Sequence, residues 1–514
     1  MAIGGRTSTT RQRTRNHRPG GVVPLPRQAV RLLYRPIEIL AADQVEALHQ
    51  ASLEILSDIG VNFLLPEARE ILRRGGAALA ADDSRVRFDP ALVEALVAQA
   101  PKRFVLHARN PANDCIIGGD HLCFLTVGGA PNISDLARGR RPGNFADYCD
   151  VLRVAQSLNV IHAVAGYPLE PIDLDPKERH LVAGEALATL TDKPLFGIPL
   201  GRRRILDMIE MARLVHGLSA AELLDRPVIF TNINANSPLQ YDRPMLWAMI
   251  EMARANQPTI VTPFTLAGAM APVTIIGALA QQNAEALAGI AFIQLVRPGA
   301  PVVYGGFTSN VDMHSGAPAF GTPEATQAAI IGGQLVRRYG LPYRLSNVNT
   351  ANAPDAQAAY ESAMSLWGAI MGGANMIIHA AGWMEGGLCA SFEKMVIDAE
   401  MLQLMVRFLV PPAVDRDALA LDAMREVGPA GHYFGARHTL ERYETAFYTP
   451  MLSDWRSYQS WREAGAPDTA VRAAGLVKRL LADYQKPSLD EARRDALAAF
   501  VARRRGEGGA PPED

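Results

Sequence analysis

Short apolar segments alternate with long amphipathic ones from about residue 124 to residue 409 of this chain. The short segments are nearly continuous in apolar character, as expected of strands in a parallel sheet that is covered on both faces. The eight predicted strands lie at 124–127, 162–166, 195–199, 227–232, 259–264, 301–307, 342–347 and 376–382. The eight predicted helices lie at 144–159, 178–192, 204–217, 241–256, 271–297, 323–339, 355–372 and 391–409.

Eight β-α units over about 285 residues predict an α/β protein with a (β/α)8 TIM barrel. An open, doubly wound sheet is the competing architecture, and it normally carries a glycine-rich phosphate-binding turn after its first strand. The segment that follows the first predicted strand, Gly128-Gly129-Ala130-Pro131, is not GxGxxG. The barrel is therefore the expected fold, and its chemistry is expected at the carboxyl ends of the strands.

The chain divides into five parts by composition and periodicity. Residues 1–35 contain eight Arg and no acidic residue, and they predict a basic, flexible arm. Residues 36–120 predict an N-terminal helical and mixed cap, residues 121–410 the barrel, and residues 411–502 a C-terminal helical extension packed on it. Residues 503–514 are polar and are expected to form a flexible tail.

The composition excludes several classes of protein. With 51 basic and 53 acidic side chains the chain lacks the surplus of Lys and Arg that nucleic-acid binding requires. The longest apolar region, residues 275–296, is interrupted by Gln281, Gln282, Asn283 and Glu285, so no membrane span is predicted. Four cysteines without a CxxC pair exclude a disulfide framework and a thiolate zinc site. We therefore expect a soluble, cytoplasmic protein.

The residues that follow the predicted strands are aromatic, amide and small ones, with few charges. No His, Asp or Glu residues there have paired metal-ligand spacing, so no metal is expected on this chain. No predicted strand contains Lys, which argues against a Schiff base, and no nucleophile elbow supports a Ser-His-Asp triad. Such a rim suits a small ligand such as a quaternary ammonium, which aromatic faces and nearby negative charge hold.

Two polar residues lie inside predicted strands, and a structural role is favoured for both. His379 is in an apolar strand, where a core histidine is more frequent than a catalytic one. Arg344 is in the seventh predicted strand, where an ion pair with a helix is favoured over a clamp for a carboxylate.

Three stretches of the chain resemble the trimethylamine methyltransferase family. They are residues 305–324, with the run Gly-Ala-Pro-Ala-Phe-Gly-Thr-Pro-Glu, residues 349–360, with Pro-Asp-Ala-Gln, and residues 431–440, with Gly-His-Tyr-Phe-Gly. The resemblance extends over roughly residues 30–485. It implies a (β/α)8 barrel that transfers a methyl group from its substrate to the cobalt of a corrinoid (cobalamin) carried by a separate protein.

The archaeal trimethylamine enzymes of this family carry pyrrolysine in the loop after the seventh strand, shortly before Pro-Asp-Ala-Gln. Here residues 346–353 are all ordinary amino acids. The sequence is thus similar to the branch without pyrrolysine, typified by glycine betaine methyltransferase. A quaternary amine already has a neutral leaving group, so it needs positioning, desolvation and a strong nucleophile rather than an activating residue.

The resemblance implies an in-line displacement by Co(I) on one methyl of a quaternary amine, with no general acid from this chain. In this scheme Phe264, Phe307 and Trp383 form part of an aromatic cage, although ordinary packing explains each of them equally well. Asp312 or Glu385 supplies negative potential. The side chains expected to orient a substrate carboxylate are Asn234, His314 and Asn347.

The expected partners are a small quaternary amine, a cognate corrinoid protein and further copies of this chain. Two other functions stay open at this point. One is a barrel lyase or isomerase for a small polar substrate, with His379 and Glu385 as an acid-base pair. The other is a non-catalytic quaternary-ammonium-binding protein.

Overall fold

A computed structural model of the protein describes residues 27–79 and 84–511, so most of the predicted basic arm and the last three residues of the predicted tail lie outside the described residues. The fold is mixed α/β and is built on a curled sheet of eight strands. In chain order the strands are β1 (Val30–Arg31), β2 (His121–Thr126), β3 (Leu195–Phe196), β4 (Ile229–Ala235), β5 (Thr259–Pro263), β6 (Val302–Gly305), β7 (Tyr343–Ser346) and β8 (Met376–Ala381).

The strands are arranged in the order β1-β2-β8-β7-β6-β5-β4-β3. All neighbouring pairs from β2 to β3 are parallel, and β1 alone runs antiparallel, beside β2. Seven of the eight predicted strands are thereby confirmed to within a few residues. Strand β1 was not predicted, because it lies within the segment that was expected to be a basic arm.

The second predicted strand, 162–166, forms only one parallel bridge, between Ala163 and Leu125 of β2. The edge of β2 near its start is already occupied, because Val30 of β1 pairs with Leu122. On the other side, β3 is only two residues long and lies between Pro194 and Pro199, which have no N–H to donate to a ladder. No pairing between β3 and the segment 162–166 is found in the described chain. The structure therefore shows a curled α/β sheet, and closure into a barrel is not shown.

Eight long helices cover the sheet, and each matches a predicted one. They are α1 (Phe145–Ser157), α2 (Arg179–Leu190), α3 (Arg202–His216), α4 (Arg243–Arg254), α5 (Ile275–Val296), α6 (Pro323–Tyr339), α7 (Ala356–Met371) and α8 (Phe392–Phe408). Their ends follow from local chemistry. The Asp355 side chain caps α7 and the Ser391 hydroxyl caps α8, whereas Gly340 ends α6 in a left-handed conformation.

Shorter elements surround this core. N-terminal to β2 lie helices Ala42–Glu54, Pro66–Arg74 and Pro90–Val97, and strands Val61–Phe63, Ala78–Leu79, Arg85–Arg87, Arg103–Leu106 and Cys115–Gly118. Near the carboxyl edge of the sheet lie strands Asn132–Asp135, Gly139–Pro142, Thr265–Ala267, Thr308–Val311, Pro318–Ala319, Trp383–Met384 and Cys389–Ser391. After α8 come helices Arg416–Leu419, Leu421–Val427, Arg437–Arg442, Tyr458–Glu463, Thr469–Ala482 and Glu491–Gly506.

The described part of the C-terminal end packs on the body of the protein. The last helix continues to Gly506, and Arg504 forms an ion pair with Asp207 of α3. Ala510 is fully buried, and its N–H donates to the carbonyl of Lys177. Within residues 27–79 and 84–511, no helix combines the length and the apolar character needed to cross a bilayer.

Candidate functional site

Five aromatic rings meet at the carboxyl edge of the sheet, and we call them the aromatic cluster: Phe264, Phe307, Phe320, His379 and Trp383. The centre of the Phe307 ring lies 5.0 Å from that of Phe264, 5.8 Å from Phe320 and 6.4 Å from Trp383. His379 and Trp383 are closest, with centres 4.0 Å apart. Phe264 directly follows β5, Phe307 follows β6 after Gly306, and both rings are partly exposed. The three predicted cage residues are therefore neighbours.

Arg344 of β7 lies beside the aromatic cluster as a buried cation that has no counter-ion among the described residues. Its side chain is 2% exposed, and its guanidinium carbon Cζ is 5.5 Å from the centre of the Phe307 ring. The Nε and Nη1 groups have no hydrogen-bond partner among the described residues, and no described carboxylate pairs with this side chain. Burial lowers the pKa of Arg344 to about 9, so it remains a cation near neutral pH. In the part of the chain that the structure describes, the ion pair with a helix that the sequence favoured is not found.

His379 owes its position to an irregularity in β8. Its backbone φ is 60°, a left-handed conformation, at the point where the register between β8 and β2 shifts. This turns the ring toward the cluster, where Nδ1 is 3.2 Å from the Ser346 hydroxyl. Burial, together with the nearby Arg344 cation, holds the pKa of His379 well below its usual value. The imidazole is therefore neutral at physiological pH.

Trp383 is held by backbone and side-chain bonds from the loop after β7. Its indole Nε1 donates to the Asn349 carbonyl over 3.2 Å, and the Asn349 amide donates to the Trp383 carbonyl over 2.7 Å. Asn349 is fully buried. Neither Asn349 nor Phe320 was predicted as a site residue. The Asn347-Val348-Asn349 spacing at a strand end was a signal for the first, whereas Phe320 lies in a loop and reaches the cluster only through the tertiary fold.

A buried ion pair lies behind this loop. Lys394 and Asp398 of α8 are both fully buried and bond each other one helical turn apart. Asp398 also accepts the Gly382 N–H at 2.9 Å, and the Lys394 ammonium donates to the Ser362 hydroxyl at 2.8 Å. Burial raises the pKa of Asp398, and the Lys394 charge opposes that shift. The pair fixes the backbone immediately before Trp383.

Asn347 and Asn234, both predicted to orient a carboxylate, lie in different surroundings. Asn347 is fully buried, and its amide donates to the Ala380 carbonyl at 3.1 Å, so it joins β7 to β8. Asn234 is exposed at the end of β4, where its side-chain oxygen accepts from Asn232 at 2.8 Å. Only Asn234 therefore presents its side chain to the mouth of the sheet.

The predicted charged residues lie outside the aromatic cluster. Glu385 forms an ion pair with Arg140 of a neighbouring rim strand, with an N···O distance of 2.9 Å. Asp312 and His314 belong to an exposed turn, in which the Asp312 carboxylate accepts from the backbone and hydroxyl of Ser315. The Ser315 hydroxyl bond keeps the pKa of Asp312 below its usual value. No described contact links Glu385 to His379, or Asp312 to the aromatic cluster.

The arrangement can bind a small molecule through one anionic group and one apolar or cationic group. An unpaired, desolvated guanidinium attracts a carboxylate strongly, and adjacent ring faces attract an ammonium. Among the described residues, no group of three or more His, Cys, Asp or Glu side chains could hold a metal ion.

The fold is thus an α/β fold whose candidate site lies where the parallel strands end, the edge at which sheets of this architecture bind their ligands. The chain belongs to the trimethylamine methyltransferase (MTTB) family, whose sequence model matches residues 3–509. It is 36% identical over 467 residues to a glycine betaine methyltransferase of Desulfitobacterium hafniense, covering 91% of this chain and 97% of the relative. It is 28% identical over 480 residues to a proline betaine:corrinoid methyltransferase of Eubacterium limosum, covering 89% and 96%. A crystal structure of the Methanosarcina barkeri monomethylamine methyltransferase (MtmB) aligns with a TM-score of 0.44 at 10% identity, over 90% of this chain and 96% of that one.

Proposed function

We propose that this protein is a methyltransferase that takes one methyl group from a betaine and transfers it to the Co(I) of a corrinoid carried by a separate protein. Arg344 indicates the substrate class, because its buried guanidinium has no counter-ion among the described residues and is suited to bind the carboxylate of a ligand. The two relatives named above are a glycine betaine and a proline betaine methyltransferase, and both betaines contain a carboxylate and a quaternary nitrogen.

In this proposal the substrate carboxylate binds the free N–H donors of Arg344, and its quaternary nitrogen lies against the rings of Phe264, Phe307 and Trp383. A quaternary ammonium has no N–H to donate, so ring faces are suitable partners for it. The rings also exclude water from the reacting methyl group, which removes the competing solvation of the ammonium. Asn234, at the mouth, is suited to contact the substrate from the solvent side.

The reaction requires no proton from this chain. The corrinoid supplies the electron pair of Co(I) that forms the bond to the methyl carbon, and the electron pair of the broken C–N bond leaves with the nitrogen as a neutral tertiary amine. Methyl transfer therefore depends on positioning and desolvation. Glu385 is paired with Arg140, and no described contact links it to His379, which favours this chemistry over a lyase with those two residues as an acid-base pair.

The test is to incubate the protein with free cob(I)alamin and record the corrinoid spectrum with glycine betaine, proline betaine, carnitine, choline or trimethylamine. We expect formation of methyl-Co(III) with a betaine and little with choline, which has the same quaternary head group without a carboxylate. If no compound in the panel is demethylated, the proposal is wrong.

Substituting Trp383 with leucine should weaken betaine binding by a factor of about 2 to 30, because a cation–π contact contributes roughly 0.5–2 kcal/mol. Calorimetric titration measures this dissociation constant. Trp455→Leu is the matched control, because Trp455 is 72% exposed and lies outside the aromatic cluster. Unchanged affinity in Trp383→Leu would assign that residue to packing alone.

We also propose that the curled sheet closes into a complete (β/α)8 barrel in solution. The bridge between Ala163 and Leu125 supports this, because it extends the sheet past β2 toward β3. A cytoplasmic location is proposed as well, and it is supported by four cysteines that are all free and buried. We further propose that the reaction proceeds without pyrrolysine, and the ordinary amino acids at residues 346–353 support this.

A further inference from the structure

Residues 411–447 form an excursion from the body of the protein, which we call the arm. The arm begins after the end of α8 and contains helices Arg416–Leu419, Leu421–Val427 and Arg437–Arg442. The chain rejoins the body at Met451, where the Met451 N–H donates to the Glu400 carboxylate of α8 at 2.8 Å. The arm thus starts and ends on the same helix.

The polar contacts of the arm are internal. Arg442 pairs with Asp417, Arg437 with Glu441, and Arg425 with Asp422. In residues 27–79 and 84–511, every hydrogen bond or ion pair shown for the arm has its partner within the arm. The arm therefore makes no polar contact with the described remainder of its own chain.

The apolar side chains of the arm face solvent to an unusual degree. Val414, Phe434 and Phe447 are 84%, 86% and 84% exposed. Other apolar side chains of the arm that are about half exposed or more are Leu419, Leu421, Met424, Tyr433, Leu440 and Tyr443. Such a concentration on one segment is typical of a surface that is covered in an assembly.

A second apolar surface, which we call the outer patch, lies on α7 and α8. Tyr360, Met364 and Trp367 follow one another at helical spacing on α7, and Leu404 and Phe408 lie one turn apart on α8; all five are exposed. The rings of Trp367 and Phe408 are in contact, with centres 5.0 Å apart. The outer patch is thus continuous across the two helices.

The two surfaces together are large enough for a stable interface. If each exposed aromatic or aliphatic side chain leaves on the order of 100 Å² uncovered, they expose roughly 1,500 Å² in one chain. A standard interface buries about 800 Å² per partner, and obligate ones are larger and more apolar.

The position of the outer patch indicates which partner covers it. Helices α7 and α8 begin at the carboxyl edge of the sheet, so Trp367 and Phe408, near their C-terminal ends, lie toward the opposite edge. A protein that delivers a group to the aromatic cluster must approach the carboxyl edge instead. The arm departs from the body of the protein at Pro411, close to Phe408 in the sequence. A two-fold axis near this point therefore places each arm on the α7 and α8 of the other copy.

We propose that the arm of one copy of this chain packs on the outer patch of a second copy. The contact is an exchange of the same segment between two copies, and it is independent of the reaction at the aromatic cluster. This exchange covers both the arm and the outer patch with one kind of partner, a second copy of the chain.

The first test is the mass of the full-length protein in solution by light scattering, for the wild type and for Phe434→Glu/Phe447→Glu. We expect the wild type to be an oligomer and the arm variant to dissociate at a concentration at least a hundredfold higher. Val273→Glu is the matched control, because Val273 is 66% exposed but lies outside both surfaces. Circular dichroism checks that the arm variant is folded. A monomeric wild type, or an arm variant that associates as tightly as the wild type, would overturn the proposal.

The second test mixes two defective proteins. Met364→Glu/Leu404→Glu disrupts only the outer patch and should also dissociate. Mixed in equal amounts, the arm variant and the patch variant should form a heterodimer, because one intact arm then meets one intact patch. If the mixture stays monomeric although each variant is folded, the arm does not bind the outer patch.

Discussion

Substitution of Arg344 with methionine is expected to abolish turnover of a betaine and, at the same time, to stabilise the protein without substrate. Truncating one partner of a buried, hydrogen-bonded charge pair costs about 2–5 kcal/mol, so kcat/KM for glycine betaine should fall by a factor of roughly 30 to 5,000. In the absence of substrate the Arg344 cation is buried, and no residue within 27–79 and 84–511 pairs with it. Its replacement by an apolar side chain of similar length should therefore raise the free energy of unfolding by about 1–3 kcal/mol.

Urea unfolding and steady-state kinetics with cob(I)alamin measure these two effects. Arg344→Lys is the informative control, since it keeps the charge but loses the planar fork that matches a carboxylate. We expect that variant to recover part of the activity and none of the added stability. A loss of stability in Arg344→Met would show that Arg344 has a structural partner, and it would contradict the assignment to substrate.

Substitution of Asp398 with asparagine is expected to give the largest loss of stability among the changes considered for this chain. The Lys394 ammonium would remain fully buried without its counter-ion, and breaking a buried pair in this way typically costs about 3–5 kcal/mol. Asparagine still accepts a bond from the Gly382 N–H, so the charge is the main quantity removed. The midpoint of urea unfolding, analysed with an unchanged slope, measures the effect.

The matched control is the double variant Lys394→Met/Asp398→Asn. Removal of both charges eliminates the unpaired ammonium, so this variant should recover most of the lost stability. Equal destabilisation of the single and double variants would show that shape rather than charge at Asp398 supports the loop before Trp383.

The regular part of the fold could be predicted because its information is local. The alternation of short, nearly continuous apolar segments with long amphipathic ones identified all eight long helices and seven of the eight predicted strands. The exception, residues 162–166, depends on competition for the edge of β2, and the competing residue Val30 is far away in sequence. Closure of the barrel could not be predicted from the count of β-α units for the same reason.

In the site, too, some features follow from local sequence and others depend on contacts between distant residues. Residues that follow strands, such as Phe307 and Trp383, could be predicted to come together because parallel strands end at one edge. The role of Arg344 could not, because most buried arginines have an acidic partner and only the tertiary structure shows whether one is present. Asp312 was expected to supply negative potential because of its position after β6. Its carboxylate instead accepts hydrogen bonds within its own turn.

Strand β1 gives the N-terminal segment a part in the folding order of the whole sheet. Its pairing with β2 joins two positions that are distant in the chain, and Arg27 adds a bond to the Asn113 carbonyl beside it. The chain between Val30 and Leu122 is nevertheless shorter than the chain between Cys123 and Met376, which joins β2 to β8, so closing the β1–β2 loop costs less entropy. During synthesis and refolding β1 can therefore cover this edge of β2 before β8 is available, and it protects the nascent sheet from pairing with strands of other molecules.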